Sequence, residues 1–320
     1  KTKKYDKKHN KNTKYVSKLM LNKYVKTEMR LIKEVSKNVE TIPNYKNYFL
    51  IDDVYTCKPD ILTKKDLVNF NSKCKNRTLG MIFQKESTRT RVSFTVGIQK
   101  LGGNPMELNS DTIGFGKRES YEDIIKTLSQ FINILMIRND DHRLLRRLSS
   151  LNVLPIINGL SNYSHPCQIL SDMLTINEKI GNIKNKRISW IGDYNNVLRS
   201  LIELQRVYKF KLNVVLPKEI LKTYKSEILN KTNKNLMITN IIKDGVKYAD
   251  CVMTDSWVSM GEKSTKKKYF KNYQVNNNVM KNASKEAIFM HCLPAHRGEE
   301  VSSELLDSKK SVVWQQAQNR

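Results

Sequence analysis

From Phe49 onward, short apolar runs alternate with longer stretches whose apolar residues recur at helical spacing. The short runs at 79–83, 105–108, 132–137 and 153–157 have the length and composition of buried strands. A second set follows at 187–191, 212–216, 237–241, 251–254, 287–290 and 311–314. Between them, 88–101, 121–131, 196–208 and 219–230 carry helical period and length. Strands alternating with helices predict parallel sheets covered by helices, since a parallel crossover needs a helix to return the chain. The two sets divide near residues 166–186, which predicts an α/β protein of two domains with a cleft between them. The expected boundaries are a basic extension over 1–48, a first domain over 49–178 and a second over 179–320. Within the extension, 24–39 could form a surface helix.

Composition changes this picture in one respect. Hydrophobic residues make up 39% and charged residues 28%, which suits a globular chain, and no apolar run is long enough to span a bilayer. Five scattered cysteines without a CxxC pair argue against a disulfide framework or a zinc knuckle, and for a reducing compartment. The formal charge of +26 is the abnormal number. It admits a nucleic-acid partner. No aromatic RNA-binding motif or zinc finger accompanies it, however, and lysine and asparagine are enriched from end to end. A diffusely basic surface around a small-anion site is the favoured reading. A cytoplasmic location is expected, or a mitochondrial or plastid one if the basic N-terminal segment is the remnant of a transit sequence.

In open parallel sheets, ligands bind beyond the carboxyl ends of the strands. Polar clusters stand there in this chain. Ser87-Thr88-Arg89-Thr90-Arg91 follows the first strand and opens a helix, a phosphate cradle without P-loop glycines or else a capped start with surface arginines. Arg138 ends an apolar strand, and His165-Pro166-Cys167-Gln168 puts His165 and Gln168 three residues apart on one face. Gly192-Asp193-Tyr194-Asn195-Asn196 lacks the glycines of a dinucleotide fingerprint. Asp255 follows a strand and could hold a substrate ammonium group. His291-Cys292-Leu293-Pro294 and Gln318-Asn319-Arg320 follow the last two predicted strands. Taken singly, the last four are ordinary turn and cap chemistry. Together the clusters supply phosphate donors, one acid and no metal-ligand set. That combination fits transfer from a small phosphorylated donor to an amine.

Ser87-Thr88-Arg89-Thr90-Arg91, His165-Pro166-Cys167-Gln168, the run from Asp255 to Gly261 (Asp-Ser-Trp-Val-Ser-Met-Gly) and the run from His291 (His-Cys-Leu-Pro-Ala-His-Arg-Gly-Glu-Glu-Val) resemble the ornithine carbamoyltransferase family. The resemblance runs over residues 79–320. It implies a carbamoyl-phosphate domain, an amino-acid domain, a homotrimer and an active site that uses no metal or organic cofactor. Ser87, Thr88, Arg89 and Thr90 would hold the phosphate. Arg138, His165 and Gln168 would grip the carbamoyl group, the carbonyls of Cys292 and Leu293 would take its amide hydrogens, and Arg320 would add positive charge. Asn196, Asp255, Ser259 and Met260 would bind L-ornithine, with Arg138, His165, Asp255 and Cys292 in catalytic roles. The reaction implied makes citrulline and phosphate, as in arginine biosynthesis and the urea cycle.

Three positions depart from the family pattern. Gly114 stands where the family usually has Gln or His reaching a neighbouring subunit's carbamoyl phosphate. Tyr194 replaces a small residue, and its bulk is expected to oppose a positive φ or to crowd the ornithine pocket. Gln318 replaces a glutamate, and the family continues beyond the position of Arg320 into a last helix. Two alternatives therefore stand beside the leading one. One is an impaired homologue serving as a basic structural or RNA-associated subunit; the other is a sibling transferase using an amine such as putrescine.

Overall fold

The computed structural model describes residues 74–258 and 264–320. The expected extension over 1–48, its helix, and the ornithine-binding candidates Ser259 and Met260 lie outside the described residues. The described residues divide into two compact units, one up to Leu170 with Arg320 and the other from Ser171 to Asn319.

The first unit is built on a parallel sheet of four strands, β1 (Thr78–Phe83), β2 (Asn104–Asn109), β3 (Ile134–Arg138) and β4 (Ile156–Leu160), in the order β2-β1-β3-β4. Between them run α1 (Thr88–Lys100), α2 (Tyr121–Leu128) and α3 (His142–Ser150). Ile82, Leu135, Ile137 and Ile156 from the sheet pack with Ile125, Leu145 and Leu148 from the helices in one buried cluster. Each such side chain contributes about 1.5–3 kcal/mol on burial. The next helix, α4 (Pro166–Ile180), contains the division between the units.

The second unit carries five parallel strands, β5 (Arg187–Ile191), β6 (Lys211–Val215), β7 (Leu236–Thr239), β8 (Cys251–Thr254) and β9 (Ile288–His291), in the order β7-β6-β5-β8-β9. Its helices are α5 (Asn196–Tyr208), α6 (Lys218–Thr223), α7 (Lys225–Leu229), α8 (Ile242–Val246), α9 (Asn277–Met280), α10 (Ser303–Leu306) and α11 (Val313–Gln318), among the described residues. Ile191, Val215, Val252 and Phe289 centre its core.

Most predicted elements form within a residue or two, and three differ for identifiable reasons. The strand expected at 153–157 begins only at Ile156, because Pro155 has no N–H for the ladder and Asn152 turns at φ 60°. It continues through Asn158-Gly159, beyond the end expected from the apolar run. Asn158 is nevertheless buried, donating to Ser164 Oγ at 2.9 Å, and a Cβ on Gly159 would meet Met136 Sδ. The helix expected at 219–230 breaks at Tyr224 into α6 and α7. The strand expected at 311–314 is a single bridge from Ser311 to Phe289, followed at once by α11. Val313 and Gln316, three apart, are the buried face of that helix while Trp314 is exposed, so the Val312-Val313 pair misled. Gln318-Asn319-Arg320 therefore ends a helix rather than following a strand.

Candidate active site

A doubly wound sheet opens where successive connections leave in opposite directions. In the first unit that point lies between β1 and β3, and the residues leaving both strands meet there. Arg138, the last residue of β3, donates through Nη1 to Ser87 Oγ at 3.2 Å and Thr90 Oγ1 at 3.4 Å. Ser87 is the N-cap of α1, yet its side chain makes no capping bond. Asp141, Ser120 and Asn195 cap their helices with side-chain oxygens. The first turn of α1 also carries no acidic residue. Its amide hydrogens and positive dipole end are thus left for an outside anion.

His165 precedes Pro166, whose missing N–H suits the first helical position. Arg320 reaches the same place, donating from Nη1 to Gln168 Oε1 at 2.7 Å and from Nη2 to Thr90 Oγ1 at 2.5 Å and His165 Nε2 at 2.9 Å. Guanidinium can only donate, so His165 accepts at Nε2 and is neutral with its proton on Nδ1. Its pKa lies well below the usual value, from burial first and then from the charges of Arg320, Arg138 and Arg89. Arg138 is pushed down to about 10 by burial and by the same neighbours, Arg320 and Arg89. Among the described residues, no carboxylate forms an ion pair with Arg138 or Arg320. Arg138 and Arg320 share one buried locus with hydroxyl, amide and imidazole partners, and the charge of Arg89 reaches it. This locus has the chemistry of a dianion site.

In the second unit the corresponding point lies between β5 and β8. Asn195 follows β5, Asp255 follows β8, and Asn195 Nδ2 donates to Asp255 Oδ2 at 2.7 Å. Asp255 Oδ1 accepts from Cys292 Sγ and from Ser256 N, each at 2.8 Å. The carboxylate thus has three donors and a defined orientation. Beside it, His291 accepts Leu293 N–H at Nδ1 (2.9 Å) and faces Glu300 from Nε2 at 3.2 Å. Burial pushes Glu300 up, but hydrogen bonds from His291 and from the His296 N–H outweigh it and hold the carboxyl below its usual range. Leu293 sits at φ 56°, a strained position for a residue with a Cβ. Asp255, His291 and Cys292 offer ligand atoms within 4.8 Å of one another, as do His296, Glu299 and Glu300. Both ring nitrogens of His291 are already engaged, so a metal would have to displace those bonds.

Ser87, Thr90, Arg138, His165, Gln168 and Arg320 meet at the first place and Asp255 and Cys292 at the second, whereas Arg91 turns away to pair with Glu107 at 2.9 Å. Asn196 opens α5, and it is Asn195 that contacts Asp255. Asn195 was missed although the helix predicted at 196–208 made it the N-cap. The buried partner Glu300 was also missed; nothing in its spacing marked it. Tyr194 corrects an expectation. Its φ is not positive, since Gly192 at φ 149° takes the unusual conformation. Its ring is buried against Tyr224 and Arg199, not Asp255. Gly114 sits in a turn at φ 61°, where a Cβ would lie 2.8 Å from Arg118 Cβ.

Residues 51–178 match the carbamoyl-P binding domain of aspartate/ornithine carbamoyltransferase, and residues 184–320 match its Asp/Orn binding domain. This chain belongs to the aspartate/ornithine carbamoyltransferase family. Within that family it is 44% identical over 247 residues to the ornithine carbamoyltransferase of Rhodopseudomonas palustris, covering 76% of this chain and 80% of the relative. It is 42% identical over 253 residues to that of Methanosphaera stadtmanae, covering 77% and 84%. The solved ornithine carbamoyltransferase of Pyrococcus furiosus superposes with a TM-score of 0.72 at 34% identity, over 94% of this chain and 92% of that one. That of Thermus thermophilus gives 0.68 at 32% identity, over 77% and 83%.

Proposed function

We propose that this chain is an ornithine carbamoyltransferase, moving the carbamoyl group of carbamoyl phosphate to the side-chain amine of ornithine and releasing citrulline and phosphate. The observation that carries the reading is the convergence of Arg138 and Arg320 on Thr90, with Arg320 also on His165 and Gln168, with no ion-paired carboxylate among the described residues and beside an uncapped helix start. A phosphorylated donor would supply the missing negative charge. The residues 87–90 take its phosphate, with Arg89 facing the departing oxygen.

The acceptor's ammonium must lose a proton before its nitrogen can attack the carbamoyl carbon. Asp255, oriented by Asn195, Ser256 and Cys292, is the group that pairs with that ammonium and receives the proton. Attack makes the carbon–nitrogen bond and moves charge onto the carbonyl oxygen. Arg138 and the Thr90 hydroxyl are the donors for it, because Thr90 Oγ1 accepts from two guanidiniums and keeps its own proton to give. Neutral His165 holds Arg320 in place without adding a further charge. Collapse then breaks the carbon–oxygen bond, and phosphate leaves into the arginines. The carbonyls of Cys292 and Leu293 are the acceptors for the carbamoyl amide. Asn196, Ser259 and Met260 complete the acceptor's contacts. The family likeness extends the proposal to a homotrimer, testable by sedimentation equilibrium, and to a part in arginine biosynthesis.

The purified protein is expected to form citrulline from ornithine and carbamoyl phosphate, and to prefer ornithine over putrescine in an acceptor panel. A folded protein that forms no carbamoylated product from any amine would overturn the proposal.

A further inference from the structure

Tyr194 stands between the two residues of the β5 turn that reach other parts of the second unit. Asp193 pairs with Lys266 Nζ at 2.5 Å, and its carbonyl accepts Trp190 Nε1 at 3.1 Å. Asn195 commits its side chain in two directions. Its Oδ1 accepts Val197 N and Leu198 N at 3.1 and 3.0 Å, and its Nδ2 donates to Asp255 Oδ2. Because the oxygen is held by the helix N-terminus, only the NH2 end can face Asp255. The backbone of this turn begins at Gly192, in a conformation that glycine reaches freely. Something other than local stiffness must hold it.

Tyr194 does so from its buried side. It is 1% exposed. Its hydroxyl donates to Glu227 Oε1 at 3.1 Å, and its ring lies 4.9 Å from that of Tyr224. Arg199, one turn into α5, sits 4.8 Å from the same ring and donates to both Glu227 oxygens, at 2.9 and 3.3 Å. The break between α6 and α7 at Tyr224 is what brings Tyr224 and Glu227 against the turn.

We propose that Tyr194, clamped by Glu227, Arg199 and Tyr224, is a positioning residue that fixes the β5 turn and thereby the Asn195–Asp255 contact, setting affinity for the acceptor amine. The proposal rests on Asp255 being the acceptor's partner. A large side chain at this place is then a substitute brace, not an obstruction.

The test uses Tyr194→Phe, which keeps the ring and deletes the hydroxyl, and Glu227→Gln, which keeps the shape and deletes the charge. Both are compared with Asp255→Asn in the full chain. Each single brace variant is expected to raise the ornithine KM about 3- to 10-fold, the effect of one lost hydrogen bond on orientation, with kcat within about twofold. The carbamoyl-phosphate Kd, measured by calorimetry without ornithine, stays unchanged. The double variant is no worse than Glu227→Gln alone, because the two groups act as one unit. An unchanged ornithine KM in both singles overturns the proposal, as does a loss shared equally by both substrates and tracking a lower Tm. If Asp255→Asn retains full activity, the acceptor assignment fails instead. An inactive Asp255→Asn beside unaltered brace variants refutes the positioning role alone.

Discussion

At the focal point of the first sheet, Arg138 leaves β3 and meets Ser87 and Thr90 beyond β1. At the focal point of the second, Asp255 leaves β8 and meets Asn195 beyond β5. The strand plans agree, since each sheet reverses its direction of winding between these strands, yet the contents are electrically opposite. The first place gathers cations, and among the described residues no carboxylate forms an ion pair with Arg138 or Arg320, so burial and mutual repulsion pull Arg138 down to about 10. The second gathers donors around one carboxylate and leaves it satisfied. One site is thus strained until an anion arrives, whereas the other is complete in itself and serves to orient. Stability and function should therefore move in opposite directions at the first site and together at the second.

Arg138→Ala gives the largest contrast. Losing charge-assisted hydrogen bonds of about 1.5–3 kcal/mol each should weaken carbamoyl-phosphate binding at least about a hundredfold. The ligand-free protein should melt no lower than the parent, because the cation removed is buried and has no ion-paired carboxylate among the described residues. Calorimetry and thermal unfolding read the two effects, and a lower Tm together with intact binding would reverse the assignment. Arg89→Ala should likewise abolish binding with the fold intact. Asp255→Asn is expected to lower kcat/KM for ornithine by about a hundredfold or more. It should also lower the Tm, since an amide NH2 would face one of the three donors that the carboxylate now accepts.

Titration sharpens the difference. Arg138 is charged below about 10 and neutral above it, so phosphate affinity should fall as pH rises through about 10, with protons taken up on binding in that range. His165 acts at the other end. Its folded pKa is depressed, so the unfolded chain binds a proton below about 6.5 while the native site refuses it. The stability present above about 6.5 is lost as pH falls towards the folded value. Denaturant unfolding between pH 7.5 and 5 should show a smaller loss for His165→Asn than for the parent, and parallel curves would contradict the neutral assignment.

Much of this was legible in the residues. Arg187–Ile191, Cys251–Thr254 and Asn196–Tyr208 form as periodicity predicts, because each buries a predominantly apolar run or stripe. The polar clusters were legible because they follow such runs. Asn158 was not, since a buried asparagine in a strand looks like a turn until Ser164 is seen beside it. Nor was the role of Arg320: its convergence on Thr90 joins residues 230 positions apart, which no local pattern encodes. Tyr194 read as an obstruction for a similar reason. Its partners Tyr224 and Glu227 come from a helix break that periodicity had drawn as continuous.

The smallest effects belong to two glycines, one in each unit, that share a positive φ and differ in surroundings. Gly181, at φ 87° after α4, has nothing within 4 Å of a built Cβ, so Gly181→Ala should cost only the left-handed conformation, about 1 kcal/mol. Gly114, at φ 61°, would set its Cβ 2.8 Å from Arg118 Cβ. Because that is the root of the arginine side chain and not its flexible end, the backbone must yield, and Gly114→Ala should cost more than Gly181→Ala. Equal losses on thermal unfolding would mean that Arg118 gives way freely. The same geometry bears on activity. The family's Gln at this place has a side chain to extend, but here the turn rejects one, so Gly114→Gln should leave kcat/KM for carbamoyl phosphate within about twofold while lowering the Tm. A several-fold gain in carbamoyl-phosphate affinity would show instead that the turn reshapes around glutamine and that the missing donor was limiting.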